Sequence, residues 1–87
     1  MNAEKENIVE IIDIEFDIIK TKKLLNEHKY EELNKHIDNI IKKYPFEATV
    51  YNLINPIKPK TFQENASNCI QFLSILLIKK SIENLEK

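Results

Sequence analysis

No glycine occurs anywhere in this chain of 87 residues. The positive-φ positions that two-residue hairpin loops require therefore fall to asparagine. Glycine-rich phosphate loops are excluded outright. Both exclusions favour helices joined by turns that other residues can make. Prolines at 45, 56 and 59 supply the punctuation. Each disfavours helix at the residue before it and breaks a helix that would run through it.

The longest apolar run is Cys69 to Ile78, in which eight of ten residues are apolar and no charge appears before Lys79. Its start is marked upstream by Thr61-Phe62-Gln63-Glu64. This has the form of a capping box, with a hydroxyl for the third helical amide and a carboxylate that reaches back. No proline lies between Phe62 and Glu86, so the pattern predicts one helix across that span. At 3.6 residues per turn, Phe62, Ala66, Cys69, Ile70, Leu73, Leu76 and Leu77 gather on one face, and Phe72, Ile75, Ile78, Ile82 and Leu85 on another. A helix apolar on two sides is either central in a bundle or shared with a second chain. The uncharged run is well short of the ~18 residues a membrane span needs.

The segment Ile12 to Ile18 alternates strictly between apolar and acidic residues, which is a strand pattern. A helical reading accounts for more of it. Ile8, Val9, Ile12, Phe16 and Ile19 share one helical face, and Ile11, Ile14, Ile18 and Leu25 share another. A lone pair of strands would also make a weak sheet. Acids come first and Lys20, Lys22 and Lys23 later, which suits the helix dipole. Residues 30–44 form a second helix, with Tyr30, Leu33, Ile37, Ile40 and Ile41 on one face and Pro45 ending it. Asn26 to Lys29 is the turn between the two. Phe46 to Asn55 makes a short third helix, expected to bury Val50, Tyr51, Leu53 and Ile54. Pro56 to Pro59 is an extended connector. The expected fold is therefore an all-α bundle in one domain, 1–87. Three long helices and one short helix build it, and an N-terminal antiparallel hairpin packs on a long C-terminal helix.

The spacing Leu33-x3-Ile37-x2-Ile40-x4-Pro45, preceded by Lys29-Tyr30-Glu31-Glu32, resembles the second half of a tetratricopeptide repeat. Leu24 stands where that family's first helix carries a tyrosine, while Asp17, Lys20 and Thr21 replace its Trp, Leu and Gly. The resemblance covers residues 14–47, one unit. It implies a helical hairpin and, through the family's habits, a peptide-binding role.

The residues that carry chemistry are few. Net charge is −1, and all 13 basic residues are lysine, so no arginine is present to read guanine or phosphate in a bidentate manner. Charge is uneven along the chain: residues 1–19 carry net −5, residues 20–43 net +3 and residues 44–87 net +1. The single cysteine, Cys69, sits among Ile and Leu and reads as a small buried hydrophobe. His28, Glu32 and His36 succeed one another at intervals of four, a spacing that can hold a divalent ion. With no fourth ligand in sight, both histidines read as exposed surface groups. The acidic N-terminus lacks the pattern of a secretory signal.

These features predict a cytoplasmic, non-enzymatic protein with no catalytic residue, metal or cofactor. It would act by helix docking through an apolar stripe of Phe72, Ile75, Ile78 and Ile82, against an identical chain or another protein, and not on nucleic acid or membrane. A small inhibitor or immunity-type protein that blocks a toxin or defence enzyme is the alternative reading, and a DNA-binding helical module a distant one.

Overall fold

The computed structural model describes residues 2–86, with side chains from Ile8 to Glu86. Four helices succeed one another: α1 (Asn2–Asn26), α2 (Tyr30–Lys43), α3 (Pro45–Ile54) and α4 (Phe62–Leu85). Among the described residues there is no strand. The alternation in residues 12–18 is thus helical. The face that decides it is Ile14 and Thr21, both fully buried, flanked by the half-buried Ile11, Ile18 and Leu25.

The turns form as a glycine-free chain must make them. His28 takes the left-handed conformation between α1 and α2, at φ 57°. This position usually favours glycine or asparagine. Its Nδ1 lies 2.8 Å from the Tyr30 hydroxyl, and the amides of His28 and Lys29 close on Leu25 and Leu24 carbonyls. Tyr44 ends α2 and also starts α3, because Pro45 occupies the first turn of α3, where its missing N–H costs nothing. At α4 the Thr61 hydroxyl accepts from the Glu64 amide at 3.0 Å. The Glu64 carboxylate reaches one residue further back than a capping box requires and accepts from the Lys60 amide at 2.8 Å.

The frame of the molecule is the α1–α4 pair, which shares far more contact than any other two helices. The two run antiparallel. Glu10 meets Lys80 at 2.9 Å near one end, and Thr21 meets the Cys69 thiol eleven residues along both helices. Helices α2 and α3 pack on one side of this pair. Leu33, Ile37 and Ile40 from α2, with Tyr44, Ala48 and Tyr51, close over Leu73, Leu76, Phe72, Cys69 and Ala66 from α4. At the far end Tyr30 and Phe62 stack at 4.5 Å, tying the start of α2 to the start of α4. The result is a slab of 41 × 28 × 17 Å, two helices deep, and among the described residues no further helix lies behind the α1–α4 layer.

Two expectations about burial need correction. In α3 the buried residues are Ala48 and Tyr51, while Val50, Leu53 and Ile54 face solvent. Tyr51 sets this orientation: its hydroxyl donates to Asn68 Oδ1 at 2.7 Å and accepts from Asn55 Nδ2 at 3.1 Å, and its ring meets Phe72 edge-on at 5.4 Å. His36, expected at the surface, is buried. It lies on the same face of α2 as Leu33, Ile37 and Ile40, so the packing that buries those three buries it too.

Candidate interaction surface

The stripe Phe72, Ile75, Ile78 and Ile82 is not one surface. Phe72 is only 6% exposed and belongs to the core. α3 folds over this part of α4 and brings Tyr51 onto the phenyl ring. Phe72 and Ile75 border an apolar groove of about 530 Å³ between α3 and α4, whose other wall is Phe46, Val50 and Ile54. Ile78 and Ile82 lie further round the helix, away from α3, and are 59% and 50% exposed.

A matching stripe stands on α1. Ile8, Ile12 and Ile19 are 47%, 45% and 59% exposed. At 100° per residue they lie some 120–160° round α1 from the buried Ile14. The side of α1 that meets α2 is fixed by Thr21 with His36 at 3.0 Å and Asp17 with Lys43 at 3.2 Å. The side that meets α4 is fixed by Ile11, Ile18 and the Glu10–Lys80 pair. The Ile8 stripe therefore faces away from α2, as does the Ile78 stripe on α4. Because Glu10 opposes Lys80, Ile8 stands level with Ile82, and Ile12 with Ile78. The two stripes stand on one bare side of the α1–α4 layer, opposite α2 and α3, with the exposed Glu15 and Lys22 of α1 between them. The sequence showed both faces of α1 but not which would be left open. That depends on where α2 lands.

Behind this face lies an ion pair that is enclosed on its lysine side and partly open at the Glu10 carboxylate. Glu10 Oε2 is sealed from water, and the Lys80 ammonium at 2.9 Å is the charge that answers it. That hydrogen bond, stronger here than the opposing cost of burial, raises the Lys80 pKa above the ordinary lysine value. Along α4 from Ser67 to Ile78 no charged side chain occurs, so this part of the face is rimmed by Ser67, Gln71 and Ser74.

Inside the fold, Thr21, His36 and Cys69 meet where α1, α2 and α4 converge, and all three are buried. Burial pushes the Cys69 thiol up to about 11. A thiol held neutral in this way is the reverse of an activated nucleophile. His28 and His36 are separated by the α1–α2 turn and by burial, so the His28, Glu32, His36 spacing does not come together on one exposed face.

The Cys69 environment carries a prediction. The thiol is held protonated from about pH 9, its unfolded value, to about 11. Its contribution to stability is full below pH 9 and is lost as pH rises through 11. Chemical denaturation between pH 8 and 11 should show stability falling, and Cys69→Ala should flatten that part of the profile. At neutral pH a disulfide reagent should modify the folded protein slowly and the denatured protein at once. Equal rates in the two states would show that the thiol is open.

No helix among the described residues is long and apolar enough to cross a membrane. The chain matches no protein-family model, no curated protein and no solved structure.

Proposed function

We propose that this is a non-enzymatic interaction module that docks another polypeptide on the bare face of the α1–α4 layer. The observation that carries the reading is surface. The chain presents 6340 Å² to solvent, where a compact monomer of 10.3 kDa would present roughly 5,400 Å². The excess, on the order of 900 Å², compares with the ~800 Å² that each partner buries in a standard interface. Part of it lies on this face, where large aliphatic side chains from two helices stand half exposed and level with each other. Contiguous apolar patches beyond a few hundred Å² mark interaction sites. The exposed Asp13 and Glu15 of α1 and Lys79 of α4 supply charge beside the stripes, which orients a partner more than it holds one.

Ile78→Asp together with Ile82→Asp tests the reading. These side chains contribute little to the core, so the variant should keep its helical circular dichroism and its unfolding midpoint at low protein concentration. It should lose every association of the parent, compared by light scattering on pure protein and by parallel pull-downs from the native host. A variant that keeps all the parent's associations would remove the bare face as the docking site.

A further inference from the structure

We propose that the bare face is covered by a second copy of this chain, related by a twofold axis that runs along the helices. The inference rests on the docking reading and names its partner. Three features of the face select this arrangement.

The first is register. A twofold parallel to the helices leaves every residue at its own height and exchanges left with right. α1 then lies against α4 of the copy, and α4 against α1 of the copy. Glu10 already holds α1 and α4 level within one chain. Ile8 therefore meets Ile82 of the copy, and Ile12 meets Ile78 of the copy, with no slip along the helices. The contact is isologous: each stripe is used once on each chain and the assembly closes at two. The four central helices alternate antiparallel around the new core, as in an up-down bundle.

The second is charge. Glu10 and Asp17 are paired within the chain, to Lys80 and Lys43, which leaves Asp13 and Glu15 exposed on the half of α1 that carries the apolar stripe. A twofold perpendicular to the helices and centred on the stripe would set this acidic half against itself. The parallel axis sets it against the half of α4 that carries the exposed Lys79; Lys80 is already held by Glu10 of its own chain. Asp13 and Lys79 then share the outer edge at nearly one height. The third is area: the excess surface of the whole molecule, roughly 900 Å², is of the size one partner buries in a standard interface, and the open side of the 17 Å deep slab carries part of it.

The test uses the intact chain. Light scattering at micromolar concentration should give twice 10.3 kDa, with a melting temperature that rises with protein concentration. Ile78→Asp should weaken self-association roughly 100-fold or more, because each dimer would then bury two unpaired charges. For the geometry, Ile12→Cys and Ile78→Cys are made as separate proteins and mixed under mild oxidation. Cys69 is buried and leaves the introduced thiols to pair. A disulfide joining position 12 of one chain to position 78 of the other supports the parallel axis. Linkage of two Ile12→Cys chains to each other overturns it. A monomeric mass across the concentration range overturns self-pairing altogether. The docking reading then stands or falls separately, on whether the Ile78→Asp, Ile82→Asp protein loses a heterologous partner that the parent retains.

Discussion

Leu73→Ala should lower the free energy of unfolding by about 3–5 kcal/mol, the range for a buried leucine truncated where neighbours cannot collapse. Leu73 is fully enclosed at the level where α1, α2 and α4 meet. α1 and α2 both close on this point of α4, and neither can shift to fill the void without opening its other contacts. The cost is large against the total. A domain of this length is stable by only ~4–13 kcal/mol, so the variant would be near its folding threshold at 37 °C. Ile78→Ala is the matched control: the same helix, the same class of side chain, but on the bare face. At a concentration low enough to exclude association, it should cost under about 1 kcal/mol. Urea unfolding monitored by circular dichroism reads both. Similar losses for the two would mean that Ile78 is as buried as Leu73 within one chain, and the open face would not exist.

The same contrast shows how far the residues alone could lead. That the chain is helical came from the lack of glycine, the three prolines and the cap at Thr61, all local facts. The inner face of α4, with Ala66, Cys69, Leu73 and Leu76 at helical spacing, was equally legible. What periodicity cannot do is choose between two apolar faces of one helix. Phe72 and Ile78 both belong to the second apolar face of α4 but lie about 120° apart round it, and the arrival of α3, positioned by Tyr51 and its bonds to Asn68 and Asn55, covers Phe72 and leaves Ile78 out. On α1 the pattern gave both faces but no partner for either. His36 was missed because a polar residue inside an apolar face reads as an interruption. The partner that makes its burial tolerable is a hydroxyl fifteen residues upstream, a distance over which periodicity carries no signal.

That hydroxyl underlies the second large effect: Thr21→Val and His36→Leu should not be additive. Thr21 Oγ1 donates its one proton to the Asp17 carbonyl at 2.7 Å, so towards His36 Nε2, 3.0 Å away, it can only accept. Nε2 must then carry hydrogen, which it gives to Thr21 and shares with the same Asp17 carbonyl at 3.2 Å. Thr21→Val keeps the shape but leaves the buried His36 N–H with only the longer, shared bond, at a cost of about 2–3 kcal/mol. His36→Leu takes the donor from a hydroxyl that still has the Asp17 carbonyl to bond, and should cost about 1 kcal/mol. With both changes made, the Asp17 carbonyl keeps its place in the α1 ladder and no side-chain donor is stranded. The double variant should therefore recover about 1–2 kcal/mol relative to the sum of the singles, a coupling within the range for residues in direct contact. Urea midpoints for the four proteins of the cycle measure it. Additivity within about 0.3–0.5 kcal/mol would mean that the two groups do not depend on each other, and that His36 is held by packing against Leu33, Ile37 and Ile40 alone.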